Sequence, residues 1–143
     1  MKIALLGYGR MGKAIEKIAV ERGHSIVCIV DKEQREGSIA KADVAINFSV
    51  PTAALENIKE AFDNSVPVVC GTTGWLNALD EIHKYCAEKK SAFLYATNFS
   101  VGVNLCFKLN ELFARLMKGH ESQYKAHLEE THHVHNLDAP SGT

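Results

Sequence analysis

The sequence lacks an excess of charge of either sign. Its 16 Lys and Arg stand against 17 Asp and Glu, a formal net charge of −1. No electrostatic footprint therefore points to nucleic acid or to an anionic membrane surface. It also lacks any apolar run approaching the roughly 20 residues of a membrane span. The opening residues 1–7 hold an apolar run too short for a signal peptide, and that run ends in a glycine loop. The four cysteines (Cys28, Cys70, Cys86 and Cys106) lie far apart and form no CxxC pair. Cys28 and Cys70 sit in apolar runs and read as buried thiols, for which a reducing cytoplasm is the expected setting. There is no internal repeat and no low-complexity segment. What remains is a 143-residue chain of 46% hydrophobic content, enough for one ordinary domain with a real core.

The pattern of apolar residues alternates between two periods. Short apolar runs at 2–6, 25–30, 44–48, 67–70 and 92–96 predict buried strands. Helical spacing predicts helices over 10–22, 51–62, 76–89 and 103–117. In the first of these helices the apolar positions are Met11, Ala14, Ile15, Ile18 and Ala19; in the last they are Leu105, Leu109, Leu112, Phe113 and Leu116. The polar stretch 32–41 is expected as loop, and 125–135 as a strand. Strands alternating with helices through short loops specify an α/β fold, a Rossmann-type doubly wound parallel sheet. Ligands bind such sheets beyond the carboxyl ends of the strands. The unusual segments of this chain fall at those ends: 7–12, Asp31, Phe48 with Ser49, 71–74 and 97–100.

The segment Gly7, Tyr8, Gly9, Arg10, Met11, Gly12 has the GxGxxG spacing between a predicted strand and a predicted helix. Gly7 permits a tight turn, Gly9 lets backbone amides approach a pyrophosphate, and Gly12 allows the helix to pack closely. The helix N-terminus then faces the phosphate charge. Asp31 closes the second strand, where an acid that accepts the adenosine ribose hydroxyls is expected. It would repel a 2′-phosphate, whereas the neighbouring Lys32 would favour one. NADH and NADPH both remain open on these residues, as does a flavin or another nucleotide.

The end of the chain, 127–143, reads HLEETHHVHNLDAPSGT. It clusters His132, His133 and His135, which can donate protons, bind anions or ligate metal. An extended backbone puts His133 and His135 on one face and His132 on the other. Three readings compete here: a polar edge strand, a zinc site with Glu129 or Glu130, and a substrate site for a small di-acid. The zinc spacing matches no standard motif, and no metal site is expected. Ser141, Gly142 and Thr143 offer hydroxyls and amides able to grip a carboxylate.

Five segments together resemble 4-hydroxy-tetrahydrodipicolinate reductases, the NAD(P)H-dependent enzymes of the diaminopimelate route to lysine. They are GYGRMG at 7–12, NFS at 47–49, GTTGW at 71–75, ATNFSVGVN at 96–104 and ETHHVHNLDAPSGT at 130–143. The last is the most specific, similar to the family signature E-x-H-H-x-x-K-x-D-A-P-S-G-T.

The resemblance implies a Rossmann domain over 1–102 and, from 103 to 143, the start of an α+β substrate and oligomerisation domain. It implies that residues 7–12 hold the pyrophosphate of NADH or NADPH and that Asp31, with Lys32, meets the adenosine ribose. Gly71, Thr72, Thr73, Ala96, Thr97, Asn98 and Phe99 would line the nicotinamide half. His132 matches the catalytic histidine, and His133 would bind a dicarboxylate substrate. Ser141, Gly142 and Thr143 would hold a substrate carboxylate. A homotetramer is implied for a full-length member. Two departures stand out. The family's catalytic lysine is Asn136 here, which can donate a hydrogen bond but cannot serve as an acid near neutral pH. Family members also continue well past Thr143, so a fragment is expected. The resulting alternatives are a catalytically inactive NAD(P)-binding fragment and, more remotely, a metal hydrolase built on the histidine cluster.

Overall fold

The computed structural model describes residues 1–32 and 34–131. It divides into two compact units, Met1–Ala96 and Thr97–Thr143. The first unit contains a six-stranded sheet made of β1 (Lys2–Leu6), β2 (Ser25–Val30), β3 (Arg35–Gly37), β4 (Val44–Asn47), β5 (Val68–Cys70) and β6 (Phe93–Tyr95). The spatial order is β3-β2-β1-β4-β5-β6. All pairings are parallel except that of β2 with β3. This is an α/β Rossmann-like sheet, and its order reverses direction between β1 and β4.

Alternation along β1 explains why both faces must be covered. Ile3 and Leu5 point to one face, where they pack with Ala19 and Ile15 of α1 (Arg10–Glu21). Ala4 and Leu6 point to the other, where they join Ala54, Ile58, Ala61 and Phe62 of α2 (Pro51–Asp63) and Ile82 of α3 (Leu79–Glu88). α2 begins with proline in its first turn, where the missing amide proton costs nothing. The two covered faces are what makes the sheet doubly wound.

The structure departs from the sequence-based expectations in four places. The stretch expected as loop holds β3, an antiparallel edge strand, and a single helical turn at Ile39–Lys41. All three β3 residues are exposed, so no apolar alternation marks the strand; its pairing with Cys28, Ile29 and Val30 defines it. The helix expected from residue 76 is a separate turn, Leu76–Ala78, followed by α3. On α1 the buried side is narrower than the pattern suggested, because Met11 and Ile18 are exposed while Gly12 and Ala19 are buried. Finally, residues 125–131 form no strand. A strand exists only when paired, and none of these residues joins a sheet.

In the second unit, α4 (Val101–Met117) is the one regular element among the described residues. Ser100 caps it, its hydroxyl oxygen accepting from the Val103 amide at 3.4 Å. The expected apolar positions Leu105, Leu109, Leu112, Phe113 and Leu116 are all exposed. No helix among the described residues is long and apolar enough to cross a membrane. The four cysteines are free, with Cys28 and Cys70 buried as the sequence suggested. Burial raises the pKa of both thiols, which keeps them protonated and unreactive.

Candidate functional site

The loops that follow β1, β4 and β5 meet at one end of the sheet, beside the point where strand order reverses. The first is the glycine loop. Gly7 adopts φ +97, and a Cβ there would lie 2.4 Å from the Phe48 carbonyl oxygen. Its amide donates to the Val30 carbonyl at 2.7 Å, tying the loop to the end of β2. Gly12 faces inward, and a Cβ on it would lie 2.3 Å from the Gly7 carbonyl oxygen. The helix therefore presses directly on the loop, which only glycine at 12 permits. Gly9 is different, since a Cβ there would meet nothing within 4 Å.

That open space lies at the head of α1. Gly9 is the N-cap residue, no side chain caps it, and no acidic residue occupies the first turn. The first amides thus face outward with the positive end of the helix dipole behind them. Uncapped amides with the helix dipole behind them are the arrangement that attracts anions at helix N-termini. Arg10 and Met11 are exposed in the same turn. Tyr8 turns away from the opening: its phenol donates to Glu16 on α1, and the Lys13 ammonium lies 5.8 Å from its ring centre. The Glu16 carboxylate raises the Tyr8 pKa, so the phenol stays a donor. Tyr8 accordingly offers the opening its backbone and not its hydroxyl.

Asp31 and Lys32 lie just beyond β2 and are exposed. The Lys32 amide donates to the Asp31 carboxylate at 3.0 Å, and the Asp31 amide donates to the Gln34 carbonyl at 2.7 Å. These bonds fold the chain back towards β3 and hold the carboxylate at the strand end. On the opposite side of the glycine loop, Gly71, Thr72 and Thr73 follow β5. The Phe48 ring packs onto Gly71, where a Cβ would stand 2.2 Å from a ring carbon. Thr72 is buried, with its hydroxyl oxygen 3.0 Å from the Ser49 amide that donates to it.

Ala96 closes the first unit, and its amide donates to the Cys70 carbonyl at 3.2 Å. Thr97, Asn98 and Phe99 open the second. There the Asn98 carboxamide oxygen accepts from the Ser100 amide at 2.8 Å, and the Asn98 carbonyl accepts from Asn104 at 3.0 Å. These bonds build the turn that leads into the α4 cap. His132, His133, Asn136, Ser141, Gly142 and Thr143 lie outside the described residues. So does the whole histidine cluster weighed as a metal site, His132, His133 and His135; among the described residues no three His, Cys, Asp or Glu side chains come together to hold a metal.

Residues 1–99 match the family model described as dihydrodipicolinate reductase, N-terminus, and residues 102–143 match the C-terminal model of the same enzyme. The chain belongs to the dihydrodipicolinate reductase family. Among curated relatives of this reductase family, the 4-hydroxy-tetrahydrodipicolinate reductase of Christiangramia forsetii is 50% identical over the whole chain. That of Staphylococcus carnosus is 34% identical, again over the whole chain. The chain spans 60% of the length of each. The chain also shares its fold with solved dehydrogenases of low identity. A probable dehydrogenase from Thermotoga maritima superposes with a TM-score of 0.59 at 14% identity, over 85% of this chain and 41% of that one. A hyperthermophilic archaeal homoserine dehydrogenase in complex with NADPH gives 0.53 at 17% identity, over 66% of this chain and 43% of that one.

Asn47 and Trp75 were given no role by sequence reasoning, and Phe48 was noted only as a strand-end residue. Asn47 is fully buried at the end of β4, Phe48 wedges between Gly7 and Gly71, and Trp75 is almost fully buried beneath the 71–74 loop. A polar residue ending an otherwise apolar strand was the available signal for Asn47. For Trp75 it was the chain's single tryptophan directly after a glycine-rich turn.

Proposed function

We propose that this chain binds NADH or NADPH across the reversal point of its sheet and supplies the cofactor half of a 4-hydroxy-tetrahydrodipicolinate reductase. The observation that carries the reading is the cradle at 7–12. Gly7 and Gly12 leave no room for a Cβ, while Gly9 leaves open space before an uncapped helix N-terminus. Family membership and the reductase names of the relatives point the same way.

In this reading Gly7, Gly9, Arg10, Met11 and Gly12 hold the pyrophosphate through backbone amides and the helix dipole. Tyr8 contributes its backbone. Asp31 and Lys32 meet the adenosine ribose, and Gly71, Thr72, Thr73, Ala96, Thr97, Asn98 and Phe99 serve the nicotinamide half. The bound nicotinamide supplies a hydride to an electrophilic ring carbon of the substrate. The chain's own residues orient both molecules and place protons. His132 is the proton donor or acceptor, His133 binds the dicarboxylate, and Ser141, Gly142 and Thr143 grip one carboxylate. A positioned acid of this kind typically contributes about 10²–10⁴-fold. Residues 1–102 are the dinucleotide-binding domain and 103–143 the beginning of the substrate domain. The full protein is a cytoplasmic homotetramer of lysine biosynthesis.

The test is oxidation of NADH, and separately of NADPH, with substrate generated by a coupled dihydrodipicolinate synthase. Substrate-dependent oxidation is the expected result for a competent chain. A second reading has specific support, because the chain carries Asn136 where the family resemblance expects lysine. It describes a cofactor-binding portion without turnover, which binds NADH but leaves it unoxidised. In a chain extended to the relatives' length, Asn136→Lys should then raise kcat, and an unchanged kcat would remove the asparagine from the explanation.

A further inference from the structure

The 71–74 loop is held from beneath by a buried polar chain that runs between two strand ends. The Trp75 indole N–H donates to the Thr72 carbonyl at 2.6 Å. The indole ring is locked in turn, packing edge-on against Tyr95 with centroids 5.5 Å apart and against Phe93 at 6.1 Å. The Thr72 hydroxyl faces the β4 loop, accepting from the Ser49 amide at 3.0 Å and lying 3.3 Å from the Ser49 carbonyl. The same Ser49 amide donates to the Asn47 carboxamide oxygen at 3.2 Å, and the Asn47 amide group reaches the Ala54 carbonyl in α2 at 3.4 Å. Asn47, Thr72 and Trp75 are exposed by 0%, 5% and 3%. Thr72 is thus almost wholly enclosed, with its hydroxyl engaged by Ser49.

We propose that Trp75 and Thr72 are positioning residues for the nicotinamide half of the dinucleotide, acting through the backbone of the 71–74 loop. The inference rests on the cofactor reading above. Its logic is geometric. A dinucleotide laid over the glycine loop extends one way towards Asp31, at the end of β2, and the other way over β4 and β5. The strap lies wholly on the second side. Trp75 sets where the Thr72 peptide stands, and Thr72 fixes the distance between that peptide and Ser49. Together they set the width of the groove that would receive the nicotinamide ring, while the adenosine side is held by separate bonds at Val30, Asp31 and Gln34.

The two sides can be probed apart with NADH and with ADP-ribose, which lacks the nicotinamide ring. Trp75→Phe keeps an aromatic ring and removes the donor; Thr72→Val keeps the shape and removes the hydroxyl. Each should weaken NADH binding about tenfold, the order expected when a buried hydrogen bond is left unmade. ADP-ribose binding should change by less than about twofold, because its contacts lie elsewhere. Thr72→Ser, which retains the hydroxyl, should restore NADH affinity. A merely structural role would lower the melting temperature and weaken both ligands alike or neither, and that result overturns the proposal. If Trp75→Phe fails to fold, the Thr72 pair decides it alone. Failure of the unsubstituted chain to bind either ligand is a different outcome: it sinks the cofactor reading, and the positioning role with it.

Discussion

Gly7 and Phe48 approach so closely that a Cβ on the glycine would stand 2.4 Å from the phenylalanine carbonyl oxygen. A Cβ on Gly9, two residues along the same loop, would meet nothing within 4 Å. One motif thus contains a glycine the fold requires and a glycine that only a ligand would require. Gly7→Ala places a side chain at φ +97 and against backbone, which should cost at least about 1–3 kcal/mol in stability. Gly9→Ala loses only the N-cap preference for glycine over alanine, about 1 kcal/mol at most. It should nevertheless weaken NADH more than about tenfold, because a methyl group there occupies the space before the helix N-terminus. Thermal melts and NADH titrations on both variants check this. Wild-type affinity in Gly9→Ala would mean the open space is not where the pyrophosphate sits.

Gly71 and the Phe48 ring make a second close pair, on the β5 side of the glycine loop. A Cβ on Gly71 would be 2.2 Å from a ring carbon, and an aromatic ring packed between loops cannot slide away as a lysine tip would. Gly71→Ala should therefore destabilise by about 1–3 kcal/mol through overpacking. Phe48→Leu alone should also destabilise. The double variant should be more stable than the sum of the two predicts, since the smaller side chain makes room for the methyl group. Strict additivity in a melting or urea series would show that the two do not share space in solution.

These pairs indicate how far the sequence was readable. The strand–glycine–helix order at 1–22 was legible because β1 buries both faces, so its apolar run is continuous, and because GxGxxG spacing has a direct geometric cause. The placement of the loops at one end of the sheet followed from the alternation of strands and helices. Contacts between loops distant in sequence were not legible. Nothing local says that Phe48 lies between Gly7 and Gly71, or that the Trp75 indole reaches back to the Thr72 carbonyl. β3 was missed for a related reason: Arg35, Glu36 and Gly37 are exposed and carry no periodic signal, and backbone pairing with β2 alone makes them a strand. Ile18 read as core from its spacing, but α1 contacts the sheet along a narrower strip through Gly12, Ile15 and Ala19. For the histidine segment, which lies outside the described residues, only the resemblance chose among readings, since clustered imidazoles suit several chemistries.

Asp63, at the end of α2, accepts from the Tyr85 phenol at 2.7 Å and pairs with Lys89 at 2.6 Å, linking α2 to the end of α3. The Lys89 and Tyr85 hydrogen bonds hold its pKa below the ordinary aspartate value. A carboxyl whose folded pKa is depressed contributes stability above its unfolded pKa and loses it as pH falls through the folded one. The melting temperature of the native chain should therefore exceed that of Asp63→Asn most clearly near neutral pH. The gap should close as pH drops below about 3.9, the unperturbed Asp value, and should shrink in high salt because the pair is exposed. A gap that persists unchanged into acid would assign the effect to packing of the side chain and not to its charge.

Asp31 offers the most direct handle on cofactor choice. Its carboxylate is exposed at the end of β2, fixed by the Lys32 amide at 3.0 Å, and stands next to the strand end that the Gly7 amide grips. A ribose placed there would give its hydroxyls an acceptor, whereas a 2′-phosphate would meet a like charge at close range. Asp31→Ser removes the charge and keeps a polar group. It should shift the ratio of NADPH to NADH affinity towards NADPH by about tenfold or more, the scale of one unscreened charge contact near a protein surface. Lys32→Ala should move the ratio the other way, since it removes a cation that would favour the phosphate. The direction of each shift does not depend on which cofactor the native chain prefers. Titration of both cofactors against the three proteins decides it: opposite shifts place the adenosine ribose at this strand end, and a ratio that neither change moves puts the ribose somewhere else.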